Sequence, residues 1–299
     1  MTVLAATDLS KSSNAAIRYA SMVARARKDT LVLMHGFHMP RDESSWAYFV
    51  ERAQRSEAQI KERILAELDE VFSEAVAEEN QPRHVEFVFE AGRPSEAIGD
   101  VAQRKHADLV VIGGAEERAV ASYFLGSTAE EVIRQAERPT VVVPADHPSG
   151  RCQTVLAATD FSAASRAGVE YAARWARLFD ARLIVAHVVD PPGGLFDWSE
   201  DVDDEDVERR GRERLDEWTA DLEPDLEFEE GPGVTRLVRS GRPHEALNEI
   251  VEEFDVDLAV MGTHGQRGWK RYFVGSNTLK LLRLLPCPVM ALRDEQADN

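Results

Sequence analysis

The sequence predicts an α/β protein made of two similar units, each a parallel sheet covered by helices on both faces. Three observations point there. The first is an internal repeat. VLAATDLS at 3–10 returns as VLAATDFS at 155–162, AGRPSEAI at 91–98 as SGRPHEAL at 240–247, and ADLVVIGG at 107–114 as VDLAVMGT at 256–263. The second is length: 299 residues suit two domains of ~100–200 residues each. The third is the alternation of short, continuously apolar runs with longer amphipathic stretches. That is how strands read when crossover helices bury both their faces.

The repeat has two offsets. The early blocks, with His35 and His187 and with Trp46 and Trp198, lie 152 apart. The later blocks lie 149 apart, including LGST (125–128) with VGSN (274–277) and Pro139 with Pro288. The three-residue difference therefore falls in the helix–loop region between them. This is a duplicated unit of ~150 residues, not a short-period solenoid. The expected domains are 1–146 and 151–295. HPSG (147–150), the Pro/Ser/Gly cluster between them, is the expected linker.

The second repeat yields its elements in order. Residues 154–159 read as a strand. Residues 162–179 read as a helix, with Ala163, Val169, Ala173, Ala176 and Leu178 on an apolar face. LIVAHVV (183–189) is a strand, and an acidic helical segment follows near 203–220. VTRLVRS (234–240) is a strand, HEALNEIVEEF (244–254) a helix and DLAVMG (257–262) a strand. Residues 276–285 form a helix and PVMAL (288–292) the last strand. The first repeat reads the same way, giving five parallel strands per domain.

Composition narrows the function classes. With 35 Lys+Arg against 54 Asp+Glu, the net charge is −19. So acidic a chain repels phosphate backbones and anionic membranes, which argues against nucleic acid and membrane as partners. Only 6 of the 35 basic residues are Lys. This balance resembles that of extreme halophiles, and stability that depends on molar KCl is the corresponding expectation. Cys152 and Cys287 cannot build a disulfide framework, and both read as buried reduced thiols. MTVLAATDLS carries no signal-peptide pattern, and no run approaches the ~18 apolar residues of a membrane span. The expected location is the cytoplasm.

MGTHGQRGWKRYFVGSNT (261–278) is the stretch with chemistry in it. It begins where an apolar strand ends and finishes where a helix starts. Glycines let a ligand approach the main chain and let successive N–H groups face an anion. Gly275-Ser276-Asn277-Thr278 stands at a helix amino terminus, where unpaired N–H groups favour negative charge. His264, Arg267, Lys270 and Arg271 add local positive charge. Equally, Gly262 and Gly265 could simply turn the chain, with Ser276 a plain helix cap; spacing alone leaves the two readings level. The stretch lacks the Gly-Lys-Ser/Thr of a Walker loop. Nor is it the dinucleotide fingerprint, which follows a first strand.

Taken together, these residues resemble the universal stress protein family in a tandem arrangement. The family pattern is Gly-x₂-Gly-x₉-Gly-Ser/Thr, and residues 262–276 match it throughout. The likeness extends to AATDFS, HVVD and SGRP and spans nearly the whole chain. It implies Rossmann-like (adenine nucleotide alpha hydrolase-like) domains with strand order 3-2-1-4-5. Ligands of such sheets bind at the carboxyl ends of strands one and four. By resemblance the ligand is ATP, with Mg²⁺ or Mn²⁺ on its phosphates. Ala158, Thr159 and Asp160 would line the nucleoside side, and the backbone at Val188 would read the adenine edge. Gly262, Gly265, Gly275, Ser276 and Asn277 would hold ribose and phosphates, with His264 lining the loop. Asp160 is read as a ligand residue, Ser162 as the helix cap and His187 as a packed side chain. The resemblance also implies that the two domains pair as an internal pseudo-dimer through the last strands, 140–144 and 288–292. A dimer of tandem chains would be ordinary for the family.

The first repeat departs from the pattern. In IGGAEERAVASYFLGST (112–128), Gly113, Gly126 and Ser127 align, but Glu116 replaces the middle glycine and Glu117 follows. Two like charges ~4 Å apart at an effective dielectric of ~20 cost about 4 kcal/mol. The loop's cations shrink to Arg118. The first domain is therefore expected to keep the fold and to bind ATP poorly or not at all. DWSEDVDDEDVERR (197–210) reads as a solvated helix start, without the glycine and spacing of a calcium loop. Trp46 and Trp198, in matching loops, either cover a pocket or pack. No spacing supports a catalytic triad, so the expectation is a regulatory or protective protein, not an enzyme. The alternatives are a slow ATPase using Asp160 or His264, and a nucleotide-free interaction scaffold.

Overall fold

The computed structural model describes residues 1–37, 57–114, 126–135, 137–189, 204–222, 226, 233–262 and 276–292. The chain divides into two compact units, Met1–Gly150 and Arg151–Asn299.

In the first unit β1 (Thr2–Thr7), β2 (Thr30–Phe37), β3 (Val85–Ala91), β4 (Leu109–Gly113) and β5 (Thr140–Val143) alternate with four helices. These are α1 (Asn14–Arg27), α2 (Glu57–Ala75), α3 (Pro94–Arg104) and α4 (Ser127–Gln135). The second unit repeats the plan. Its strands are β6 (Thr154–Thr159), β7 (Arg182–Val189), β8 (Val234–Ser240), β9 (Leu258–Gly262) and β10 (Val289–Leu292). Its helices are α5 (Ala163–Phe179), α6 (Asp204–Ala220), α7 (Pro243–Glu253) and α8 (Ser276–Leu284). The first unit orders its strands β3-β2-β1-β4-β5, the second β8-β7-β6-β9-β10. Both are the expected 3-2-1-4-5, with parallel pairing.

The strands are apolar because both faces are covered. Val3, Leu4 and Ala5 of β1 and Val155, Leu156 and Ala157 of β6 are buried. α1 and α5 turn alanine-rich faces to their sheets, which brings helix and strand backbones close. Each ends on a non-glycine residue in the left-handed region: Lys28 at φ 58° and Asp180 at φ 52°. The N–H groups of these residues return to carbonyls of the last helical turn. At the amino ends of the strands the repeat recurs in detail. The Asp108 carboxylate accepts the Thr2 N–H at 2.8 Å. That of Asp257 accepts the N–H groups of Gln153 and Thr154 at 2.7 and 3.0 Å.

The Pro/Ser/Gly cluster read as a linker is tied to the first unit. Ser149 Oγ donates to the Ala15 carbonyl at 3.1 Å. The His147 ring lies edge-on to Tyr19, with 6.3 Å between centroids, and His147 and Ser149 are both buried. Cys152 and Cys287 are buried thiols, neither in a disulfide. Burial pushes the Cys152 thiol well above the usual thiol range, helped by the nearby Asp257 and Cys287. Among the described residues, no helix is long and apolar enough to cross a membrane.

Candidate functional site

In each sheet the chain leaves the first strand toward one side and returns to pair on the other, so the carboxyl ends of strands one and four flank the topological switch point, where ligands of open α/β sheets bind. In the second unit these strands are β6 and β9, paired in register at Leu156 with Ala259 and Ala157 with Val260.

Beyond β6 the chain makes a tight, left-handed turn. Phe161 has φ 67°, and its N–H donates to Thr159 Oγ1 at 3.0 Å. The hydroxyls of Thr159 and Ser165 lie 3.0 Å apart, both buried. Ser165 Oγ donates onward to the Ser162 carbonyl at 3.0 Å, which leaves Thr159 as the donor between the two hydroxyls. Asp160 Oδ1 accepts the Ser162 N–H at 3.0 Å. Ser162 Oγ then caps α5 by accepting the Ser165 N–H at 3.2 Å. The expected cap is therefore Ser162, and Asp160 shapes the turn before it. The first unit repeats the network with Leu9 at φ 66° and the Thr7 and Ser13 hydroxyls 2.6 Å apart.

His187, level with Thr159 on the neighbouring strand, donates from Nδ1 to the Thr159 carbonyl at 2.8 Å. A carbonyl only accepts, so Nδ1 carries the proton and Nε2 is the acceptor face. Burial pushes its pKa below the ordinary value. The bond to Thr159 opposes that shift, the Arg214 charge reinforces it and Asp160 opposes it. His35 makes the same bond to Thr7 at 2.9 Å. The β6–β7 register ends at His187, which leaves Val188 one residue beyond it on that side, partly exposed.

An aromatic and cationic cluster flanks His187 in the second unit. The Phe161 ring lies 4.2 Å from His187 and 5.7 Å from Trp218 by centroids. Arg214 stands over Phe161 at 4.4 Å, and Arg166 over Trp218 at 5.7 Å. Arg214 and Trp218 are four apart on α6 and share a face, which is the one signal that could have paired them.

At the end of β9, Gly262 is a packing requirement. A Cβ there would come within 3.0 Å of the Ala164 carbonyl carbon and oxygen. Thr278, buried in the first turn of α8, donates from Oγ1 to the Gly262 carbonyl at 3.1 Å. That bond brings the amino terminus of α8, opened by Ser276 and Asn277, to the end of β9. Ala158, Thr159, Asp160, Val188, Gly262, Ser276 and Asn277 thus lie on elements that meet at the carboxyl side of the sheet. His264, Gly265 and Gly275 lie outside the described residues, as do Arg267, Lys270, Arg271, Glu116, Glu117, Arg118, Trp46 and Trp198. Among the described residues no group of His, Cys, Asp and Glu could hold a metal ion.

Fold and repeat define a class: two Rossmann-like α/β units in tandem, each with strand order 3-2-1-4-5. The profile of the Universal stress protein family matches residues 1–144 and again 152–293. The chain belongs to the universal stress protein family. A universal stress protein of Thermus aquaticus is 32% identical over 142 residues, 48% of this chain and 97% of its own length. One from Mycolicibacterium smegmatis is 26% identical over 302 residues, covering 97% of this chain and 96% of its own. The crystal structure of a universal stress protein from Archaeoglobus fulgidus aligns over 98% of both chains, with a TM-score of 0.68 at 21% identity.

Proposed function

We propose that the second unit binds ATP, with Mg²⁺ or Mn²⁺ on the phosphates, and that the protein is regulatory or stress-protective, with little or no turnover. The observation that carries this reading is the placement of the glycine pattern. It starts at Gly262, where a Cβ would meet the Ala164 backbone of α5 at a tight 3.0 Å. It ends on Ser276 at the amino terminus of α8, where N–H groups without helical partners suit an anion. Such a site takes phosphate through main-chain donors, so the metal would be held chiefly by the phosphates it neutralises. Ala158, Thr159 and Asp160 would face the nucleoside and the Val188 backbone the adenine edge. Gly262, Gly265, Gly275, Ser276 and Asn277 would take ribose and phosphates, with His264 along the loop. The first unit, with Glu116 and Glu117 in the corresponding loop, would serve as a built-in partner that takes no nucleotide. The protein would act in the cytoplasm, as an internal pair or as a dimer of such chains.

The reading of little turnover rests on the sequence, in which no spacing sets a general base beside a water; the Nδ1 proton of His187 is engaged by the Thr159 carbonyl. The test is titration calorimetry in molar KCl, with phosphate release followed in parallel. One ATP per wild-type chain is expected, and Gly265→Glu, which copies the first repeat into the second, should weaken binding at least about 100-fold if a few kcal/mol of repulsion act. Two equal sites would overturn the assignment to the second unit. No binding would favour the scaffold, and sustained turnover above the enzyme median of ~10 s⁻¹ would make the protein an ATPase.

A further inference from the structure

We propose that Thr278 is a positioning residue: its hydroxyl straps the amino terminus of α8 to the last residue of β9 and so sets where the helix presents its anion-binding N–H groups. The inference rests on the reading that the second unit takes nucleotide, and it adds a residue outside the glycine pattern.

A threonine early in a helix usually bonds to backbone close by in sequence. Thr278 Oγ1 instead reaches a carbonyl sixteen residues away, at 3.1 Å, and is buried. The acceptor sits in a closely packed place. Gly262 is pressed against the first turn of α5, where even a Cβ would fall 3.0 Å from Ala164 backbone atoms. That turn is itself fixed by the Ser162 cap and by the Asp160 carboxylate on the Ser162 N–H. A continuous series of contacts thus runs from Asp160 through Ala164 and Gly262 to Thr278. On the functional reading, it joins the residues assigned to the nucleoside to those assigned to the phosphates.

The bond has an electrostatic consequence as well. The Gly262 carbonyl closes β9, and its oxygen carries partial negative charge beside the place where an anion would bind. A hydroxyl proton on that oxygen offsets the charge and leaves the N–H groups of α8 unopposed. The first unit lacks the device. Ala129 stands where Thr278 does, and a Cβ on Gly113 would clear Ser13 Cα at an ordinary 3.6 Å. The first unit has thus given up both the hydroxyl and the tight packing beneath it.

The experiment compares wild type, Thr278→Ala and Thr278→Ser by ATP titration with Mg²⁺, and by hydrogen exchange at the first turn of α8 without nucleotide. Loss of one hydrogen bond should weaken ATP about 3- to 10-fold in Thr278→Ala. Thr278→Ser should stay within about 2-fold of wild type. In the nucleotide-free protein, exchange at α8 should quicken in the alanine variant alone. If wild type binds ATP and alanine binds equally well, the inference is overturned. It also fails if serine does not restore binding, because the methyl group and not the hydroxyl then matters. If wild type binds no ATP, the functional reading fails, and exchange decides separately whether the strap exists: unchanged exchange in Thr278→Ala removes it.

Discussion

The two units start from nearly one sequence at their first strands and part company at the fourth. At the first-strand end, Thr7, Leu9, Ser13 and His35 reproduce the bonds of Thr159, Phe161, Ser165 and His187 within a few tenths of an ångström. At the fourth-strand end, the second unit has a glycine packed tightly against Ala164 and a threonine strap. The first has a glycine with slack, an alanine, and two glutamates in the loop. The shared features satisfy buried polar groups, whose loss would cost any unit stability. Of the features that differ, the spare space at Gly113 and the alanine and glutamates of the first unit lie where the glycine pattern runs in the second. The buried network of the core is thus the same in both units, while the sequence of the loop after the fourth strand is not.

The widest test of that comparison lies at the paired glycines. Gly262→Ala drives a methyl group into the Ala164 backbone, and backbone cannot rotate away as a side chain can. The expected cost is about 1–3 kcal/mol, read from denaturant unfolding of the second unit. Four of the five tryptophans belong to that unit, Trp175 being buried, so fluorescence follows it. Gly113→Ala should change stability by no more than about 0.5 kcal/mol, because its neighbours stand at contact distance. Equal costs at the two positions would show that the tight packing of Gly262 is not specific to the second unit.

The next effect is smaller and compares two serines. Ser162 caps α5 through its hydroxyl. Ser10, its counterpart, opens a 3-10 turn at Lys11–Ser13 and makes no cap bond; its hydroxyl bonds Asp8 on the exposed surface. Ser162→Ala should cost about 1 kcal/mol and Ser10→Ala under about 0.5 kcal/mol. The measurement is again the unfolding midpoint of each unit. A reversed order would mean that the extra turn ahead of α1 is the stronger start.

Much of this architecture was legible because the repeat displays every element twice and apolar runs mark strands buried on both faces. β6, β8 and the ends of β7 and α5 fall where periodicity puts them. Ser162 was readable as a cap, since Ser before an alanine-rich run is a local signal. What stayed hidden depends on distance in sequence. Thr278 reads as an ordinary helix residue until β9 is placed beside it. Gly262 reads as a turn or phosphate glycine, whereas its first requirement is space against Ala164. Phe161 and Arg214 meet only once α6 has a rotational setting over the sheet. HPSG reads as free chain by composition, yet Ser149 finds the Ala15 carbonyl and stays buried.

The finest test concerns the pair of histidines. Both hold a strand-end threonine carbonyl through Nδ1, but His187 has Arg214 nearby and a lowered pKa. A histidine depressed in the folded state is protonated first in the unfolded state. Above its ordinary value of 6.5 both states hold it neutral, and it contributes no pH dependence. As pH falls below 6.5, the unfolded chain takes up the proton while the folded one resists, so stability declines until the folded pKa is passed. The unfolding midpoint of the second unit should therefore drop between pH 7.5 and 5.5. His187→Asn, which keeps a donor for Thr159 without a titrating ring, should flatten that part of the slope. Arg214→Gln should flatten it only partly, because burial, the larger cause, remains. A full flattening by Arg214→Gln would reverse the order of causes and make the arginine over Phe161 the main reason this histidine stays neutral.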